Sequence, residues 1–351
     1  MKQSHTYILT NSENSGQPAT RYITGFSGSD SALVFSTKKP LSETKTLENI
    51  EWGKLMLDGR YWEQWETEIQ STKCRVQSGR IEIVRVHKDY TSKQALADII
   101  KQCSMTECIV DSRITSYESV LTLQGQGLKL ISSPNIFQSI REIKSKEEIV
   151  QIQKAQKIAL DAFEVVFPEI VPGVKESYIA ARLEFLMKQG GAERVAFEPI
   201  VASGAQSALP HARATEKTIS STDSVIIDFG AVCGGYCSDF TRTILMPNAP
   251  AKLHEIYHVV QDAKQNATAI AIPGVRASKI DQVARGIIED AGYGAYFTHS
   301  TGHGVGMEVH ELPSVSAKSE TTLQKGHIIT IEPGIYVPGL GGVRLEDMVI
   351  L

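Results

Sequence analysis

Short apolar runs separated by helix-type stretches set the pattern of the first part of the chain. ALVF (32–35), KLML (54–57), IEIVRV (81–86), CIVD (108–111) and LKLI (128–131) have the length and residue content of strands. Residues 59–70 and 91–103, between these runs, space their apolar positions as helices do. The alternation predicts a smaller α/β domain over residues 1–138. TGFSGSDSALVF (24–35) places Gly25 and Gly28 just ahead of a strand. It lacks the spacing and following helix of a dinucleotide-binding loop, so it reads as a turn.

From Ile140 to Phe167 the pattern changes. Ile149, Ile152, Ala155, Ile158, Ala159, Ala162, Phe163 and Val166 recur at steps of three and four, which predicts one long amphipathic helix ended by Pro168 and Pro172. This helix opens a second domain, 139–351, which contains an internal repeat. VPGVKESYIA (171–180) matches IPGVRASKID (272–281) at a constant offset. Each copy is a Pro-Gly turn, a serine placed to cap, and an amphipathic helix ending near Gly190–Gly191 or Gly292. Strand-like text follows each, FEPIVASG (197–204) and YFTHSTGHG (296–304). A repeat of this size predicts a duplicated α+β unit with pseudo-twofold symmetry and a cleft between its halves.

Composition narrows the class. The 351 residues are 42% hydrophobic and 22% charged, with a net charge of −4, an ordinary globular balance long enough for two domains. Nothing in that charge points to nucleic acid or a membrane surface as partner. Cys74, Cys103, Cys108, Cys233 and Cys237 form no C-x-x-C pair and read as reduced thiols. The opening residues lack the apolar core of a signal peptide, and no apolar run reaches 18 residues. Together these features predict a cytoplasmic protein without a membrane span.

The chemistry lies in two hairpin-like segments. In SVIIDFGAVCGGYCSDFTRTI (224–244), VIIDF is a strand, Gly234–Gly235 the turn and SDFTRTI the return, so Asp228 and Asp239 fall on neighbouring strands. In HIITIEPGIYVPGLGGVRLEDMVIL (327–351), IITIE is a strand, PGIYVPGLGG the connection and VRLEDMVI the next strand. There Arg344, Glu346 and Met348 alternate onto one face. The chain runs five residues past Glu346, so the strand bearing it is terminal and is expected to fray. One such acid would be an ordinary surface carboxylate. Four of them beside apolar β-runs would repel each other if buried, unless cations neutralise them. Two divalent ions match the charge of Asp228, Asp239, Glu332 and Glu346, and His303 adds a neutral ligand. Oxygen-rich ligation with one imidazole favours Mn²⁺, with Co²⁺ or Zn²⁺ as alternatives. Two metals bridged by carboxylates form a hydrolytic centre.

HSTGHGVGMEVHE (299–311) places His299 and His303 four apart, but Gly302, Gly304 and Gly306 argue against a helix. The set Asp228, Asp239, His303, Glu332 and Glu346 resembles the five-ligand signature of the pita-bread metallopeptidases, and within them the Xaa-Pro group of aminopeptidase P and prolidase. SALPHA (207–212), DFGAVCGGYCSDFTRT (228–243), HSTGHGVGMEVHE and TIEPGIYVPGLGGVRLED (330–347) carry the resemblance, which covers residues 145–351 strongly. TGFSGS (24–29) and LDGRYW (57–62) resemble the family's smaller domain less specifically.

The resemblance implies a pita-bread fold behind the α/β domain. It implies that Asp228 chelates one metal, that His303 and Glu332 bind the other, and that Asp239 and Glu346 bridge them. It implies that His211 reaches the reacting peptide, that His310 hydrogen-bonds the substrate carbonyl, and that Arg344 stands beside the last ligand. Thr241, on Asp239's strand, is placed to support a ligand. His299 is open between a structural role and a pocket wall, and Cys237 reads as a buried thiol. The expected activity is an exopeptidase cutting the bond before a proline in second position, as an Xaa-Pro aminopeptidase and alternatively as an Xaa-Pro dipeptidase. Methionine aminopeptidase and a non-catalytic binding protein of the same fold are further alternatives, weakened by the added domain and by the complete ligand set. The family also implies a homodimer.

Overall fold

A computed structural model describes residues 5–10, 18–28, 31–71 and 80–351. The chain divides into two compact units, Met1–Arg141 and Glu142–Leu351. Cys74, Ser29 and Asp30 lie outside the described residues.

In the first unit six strands form one mixed sheet: β1 His5–Thr10, β2 Ser31–Thr37, β3 Ile50–Asp58, β4 Ile81–Val86, β5 Glu107–Val110 and β6 Lys129–Ser132, in the order β4-β3-β2-β1-β5-β6. Its helices are α1 Pro18–Thr24, α2 Leu41–Thr44, α3 Trp62–Ser71, α4 Ser92–Gln102, α5 Tyr117–Gly125 and α6 Ile136–Ser139. The five predicted apolar runs all become strands. β1 is an addition, because HTYILT offers only the short run Tyr7, Ile8 and Leu9, all buried, and shows no alternation. The turn at Gly25 is the end of α1, where Gly25 takes φ 81° and donates to Arg21 O. α4 starts where Thr91 and Gln94 form a capping box, and it buries Ala95, Leu96, Ile99 and Ile100 against Ile8, Val34, Met56 and Cys108.

The second unit opens with α7 Lys146–Val166, six residues later than the periodicity suggests. Ser145 caps it and Glu148 answers with a reciprocal bond to the Ser145 N–H, while Lys144 N–H donates instead to Gly326 O. Then come α8 Glu176–Gln189, β7 Arg194–Val195, β8 Ile200–Ser203, β9 Ser224–Phe229, β10 Ala231–Cys233, β11 Tyr236–Cys237 and β12 Phe240–Leu245. The second half runs α9 Ala251–Ala269, α10 Ala277–Asp290, β13 Gly302–Gly304, β14 Glu311–Val315, β15 Ile328–Ile331, β16 Gly334–Val337, β17 Gly341–Arg344 and β18 Asp347–Ile350.

Each half is a helix pair laid on strands. Ala159, Ala162 and Val166 of α7 and Ile179, Leu183 and Met187 of α8 bury against Val201, Val225, Ile227 and Phe229. Ile256, Val260 and Ala263 of α9 and Ile280, Ala284 and Ile288 of α10 bury against Val315, Ile329, Ile331 and Val343. The repeat therefore marks two equivalent cores. Its serines, however, are not the caps. Lys175 and Arg276 occupy the cap positions without side-chain bonds. The free N–H groups of the first turns are satisfied by a passing extended segment, Glu176 to Lys217 O and Ser177 to Thr215 O in one half and Ala277 to Thr321 O in the other.

Three further expectations give way in the last segment. The stretch read as a connection is itself the hairpin β16–β17, in which Tyr336 faces Gly342. The strand read as continuous breaks after Arg344, so Leu345 and Glu346 lie between β17 and β18. The chain end is paired rather than frayed: β18 pairs β15 from Asp347 to Ile350, and Leu351 exchanges backbone bonds with His327 and Gly326. No described helix is long and apolar enough to cross a membrane.

Candidate metal centre

The site is assembled where the two halves are stitched together. β9 is the centre of the sheet β12-β9-β8, and there Asp228 pairs with Thr241 on one side and Ile200 on the other. Asp239 sits one residue ahead of β12, after the tight turn at Gly234 and Gly235, whose φ angles of 59° and 80° suit glycine. The segment after β17 lies along β12: Thr243 and Arg344 exchange bonds at 2.8 and 3.1 Å, and Glu346 N–H donates to Thr241 O. Despite the strand break, Arg344, Glu346 and Met348 still converge on one place. Arg344 Nε donates to Thr241 Oγ1 at 3.0 Å, Thr241 Oγ1 donates to Glu346 Oε2 at 2.7 Å, and Met348 Sδ accepts the Asp239 N–H.

His303 comes from β13, which pairs β15 at Gly304 and pairs β14 through a register that shifts between Gly302 and Gly304. The glycines are there for closeness. A Cβ on Gly302 would run into Thr330 O, one on Gly304 into Leu312 O and one on Gly306 into the Glu311 carboxylate. Thr330 Oγ1 accepts the His303 N–H at 3.1 Å and donates to Glu332 Oε1 at 3.3 Å, fixing both residues from one β15 side chain.

Asp239, His303 and Glu346 each bring a ligand atom within 4.8 Å of the others. Glu332 Oε1 joins them 3.2 Å from His303 Nε2, and Asp239 Oδ2 is 3.6 Å from the same nitrogen. Asp228 lines the same cleft of about 550 Å³, as do His211, His299, His310 and Arg344. A larger hollow of about 910 Å³ along α10 contains none of the ligand candidates.

Three features of this cluster fit divalent cations. First, His303 Nδ1 lies 3.1 Å from Gly304 O, which can only accept, so Nδ1 carries the proton. The lone pair of Nε2 then points at two carboxylate oxygens, an arrangement that repels unless a cation lies between. Second, Asp228 Oδ1 and Glu346 Oε1 are buried without a hydrogen-bond partner. Third, burial foremost, then the neighbouring acids, pushes Asp239 and Glu346 well above the usual carboxylate range, and burial raises Asp228 despite Arg344. Burial acts the same way on Glu332, but without a cation a protonated His303 beside it, with the smaller pulls of His299 and Arg344, brings Glu332 down; burial would lower His303, and Glu332 and the other neighbouring acids raise it instead. Cations would invert this balance by favouring every charged form.

Around the cluster each predicted side chain has a definite place. Arg344 is buried and spans Asp228 Oδ2 at 2.7 Å, Tyr336 Oη at 3.0 Å and Pro210 O at 3.0 Å. His299 Nδ1 donates to Ser300 O, so its Nε2 accepts from the Tyr336 hydroxyl at 2.8 Å. Burial lowers the pKa of His299 and pushes Tyr336 up to about 12, so both are neutral and locked. His299 is therefore a pocket-wall residue held through Tyr336, a residue sequence reasoning missed because it lay in the stretch read as a connection. His310 lies 4.2 Å from His303 between ring centroids, the rings tilted by 51°, and is exposed to the cleft; burial foremost lowers its pKa. His211 is exposed on the cleft wall. Cys237 is buried, its thiol pushed up to about 12 by desolvation. Cys103, Cys108, Cys233 and Cys237 are all free.

Two buried carboxylates hold the loops that carry these histidines. Asp281 on α10 accepts from Thr301 N–H and Oγ1 and from Arg285, which also donates to Phe297 O and His299 O. Glu176 on α8 accepts from Ser203 and Thr215, which flank the His211 loop. Neither was legible in the sequence, because each helix showed only its apolar face.

Residues 150–351 match Metallopeptidase family M24. The Xaa-Pro dipeptidase of Pyrococcus furiosus is 49% identical over 217 residues, 62% of this chain and 62% of that relative. Among solved structures, the Xaa-Pro dipeptidase from Bacillus anthracis superposes with a TM-score of 0.87 at 35% identity, covering 99% of this chain and 90% of the other. The X-Pro aminopeptidase from Thermotoga maritima gives 0.84 at 33%, covering 99% and 92%. The pita-bread arrangement behind a smaller α/β domain is thus shared along the whole chain, and with the family match over its second unit, the chain belongs to Metallopeptidase family M24.

Proposed function

We propose that this protein is a metal-dependent exopeptidase hydrolysing the bond between an N-terminal residue and a following proline, with dipeptides as its substrates. The observation that carries this is the cluster of Asp239, His303, Glu346 and Glu332, with the orphaned oxygens of Asp228 and Glu346, in one cleft with His211 and His310. The dipeptide form is supported by relatives named Xaa-Pro dipeptidase. The sequence alone leaned to the aminopeptidase, and the Thermotoga structure named an X-Pro aminopeptidase keeps that as the second reading.

In this reading Asp228, Asp239, His303, Glu332 and Glu346 would hold two divalent ions; the oxygen-rich set suits Mn²⁺, with Co²⁺ or Zn²⁺ as alternatives. Bound ions supply charge neutralisation, Lewis acidity and an activated water. The chain's own side chains orient the ligands and substrate. Arg344 keeps Asp228 turned so that Oδ1 faces the cleft. The Thr241 hydroxyl occupies Glu346 Oε2 and leaves Oε1 free. His310, a neutral ring on the cleft side, offers an N–H to the substrate carbonyl, and His211 faces the same peptide from the opposite half. His299 and Tyr336 form a fixed wall.

The test is hydrolysis of Ala-Pro and Ala-Pro-Ala by metal-stripped protein refilled with Mn²⁺, Co²⁺ or Zn²⁺. Cleavage of Ala-Pro in preference to Ala-Pro-Ala supports the dipeptidase, and the reverse preference supports the aminopeptidase. No cleavage of any Xaa-Pro peptide with any metal would sink both.

A further inference from the structure

A dipeptide differs from a longer peptide in carrying a free carboxylate on its proline. An enzyme that selects dipeptides needs a cation aimed at that group. Among the described residues, the lining of the cleft contains two side chains of permanent positive charge, Arg344 and Arg213. Arg344 is committed. It is 3% exposed, and its guanidinium is consumed by Asp228, Thr241, Tyr336 and Pro210 O. A substrate carboxylate could take it only by stripping Asp228, which would undo the centre.

Arg213 is in the opposite condition. Its side chain is 81% exposed, and its partner is Glu198, which also lines the cleft, at 3.6 Å and itself 68% exposed. A loose, solvated pair of this kind holds little energy and exchanges partners readily. The loop that presents it is well fixed. Ser203 and Thr215, on either side, are both bound by the buried Glu176 carboxylate, and Pro210 O is held by Arg344. Arg213 also lies two residues from His211, so one anchored loop offers both the exposed imidazole and the loosely paired guanidinium to the same cleft.

We infer that Arg213 is the specificity-determining residue of this cleft: it binds the free carboxylate of an Xaa-Pro dipeptide, exchanging Glu198 for the substrate. The inference rests on the Xaa-Pro reading and narrows it to substrates that end at the proline. A guanidinium is suited to the task because its planar fork matches a carboxylate with two parallel N–H donors. Glu198, released from the pair, remains at the mouth as a negative charge that disfavours acidic residues in longer peptides.

The test compares Ala-Pro with its amide, Ala-Pro-NH₂, on Mn²⁺-loaded full-length protein and on Arg213→Gln. The native protein is expected to favour Ala-Pro, and in the variant the ratio of kcat/KM values for the two substrates falls roughly tenfold or more, mainly through KM for Ala-Pro. A second readout is independent of turnover: L-proline, which keeps the carboxylate, binds the native protein more tightly than L-prolinamide by calorimetry, and Arg213→Gln abolishes that difference. The inference is overturned if the native protein cleaves Ala-Pro-NH₂ or Ala-Pro-Ala as well as Ala-Pro, or if Arg213→Gln leaves the preference intact. Failure of the native protein to cleave any of the three overturns the underlying Xaa-Pro reading instead, and so separates the two.

Discussion

Arg344 donates to Asp228 Oδ2 at 2.7 Å, while Oδ1 of the same carboxylate is buried without a partner. The arginine therefore divides the work of one carboxylate, fixing one oxygen and leaving the other for a cation. Lysine cannot reproduce this, because a single ammonium lacks the fork that also reaches Thr241, Tyr336 and Pro210 O. Arg344→Lys is expected to lower metal affinity and kcat/KM by about 10- to 100-fold, the usual cost of disturbing a residue that orients a ligand. Metal titration followed calorimetrically checks this, with circular dichroism to confirm the fold. Unchanged metal affinity in a folded variant would remove the orienting role.

Glu346 is the second test of the centre. It is 2% exposed, one oxygen is occupied by Thr241 and the other is free. Glu346→Ala is expected to hold fewer than two metal ions by elemental analysis and to lose Xaa-Pro hydrolysis. A variant with two ions and full rate would show that the ligand assignment is wrong. In the native protein, Mn²⁺ at about 100 times its dissociation constant should stabilise folding by about 2.7 kcal/mol, read as a rise in Tm.

How much of this was legible in the sequence depended on the kind of signal. Asp228, Asp239, Glu332 and Glu346 stood out because four acids beside apolar β-runs would be costly together, although any one of them alone would read as a surface carboxylate. Much of the two cores was legible because α7, α8 and α10 keep a helical apolar period, whereas α9 was not read from the sequence. What escaped was everything decided by chain crossing. Tyr336 becomes a partner of Arg344 and His299 only when β16 and β17 fold back on each other. Ser177 and Ser278 looked like caps, yet a passing extended segment satisfies those helix ends. Ser145 was the true start signal of α7, but the helix was read from Ile140, which is buried in the first unit instead.

Gly302 tests whether His303 is placed by close approach. A methyl group there meets Thr330 O, backbone that cannot swing aside. Gly302→Ala should displace β13 from β15, at a cost of about 1–3 kcal/mol for overpacking. Because Thr330 also holds Glu332, metal affinity should fall together with stability. Thermal unfolding with and without Mn²⁺ reads both. A variant as stable and as responsive to metal as the native protein would contradict the packing argument.

Cys108 gives a prediction on the alkaline side. Burial pushes its thiol up to about 12, against 9.0 for a free cysteine. Below about pH 7.5 the thiol is protonated whether the chain is folded or not, and contributes no pH dependence. From there to about 12 the unfolded chain releases the proton and the folded chain does not, so stability falls as pH rises. Alkylation at pH 8–9, mapped by mass spectrometry, should therefore spare Cys108 in the folded protein and modify it after denaturation. Rapid modification of Cys108 in folded protein would show that its burial is wrong.

Asp281 offers the sharpest separation of positioning from stability. Its carboxylate is fully buried and binds Thr301, and its partner Arg285 reaches Phe297 O and His299 O. Asp281→Ala leaves the Thr301 N–H and hydroxyl and one side of Arg285 without their acceptor and is expected to cost about 3–5 kcal/mol, as for a broken buried pair. Asp281→Asn keeps the shape and one acceptor oxygen, so it should fold, but it loses the charge that fixes Arg285 and with it the segment from Phe297 to Thr301. That segment carries His299 into the cleft, whereas His303 is held separately by Thr330. The Asn variant should therefore bind Mn²⁺ close to normally while KM for Ala-Pro rises several-fold. A variant with weakened metal binding and unchanged KM would mean that Asp281 supports the metal centre instead of the pocket wall.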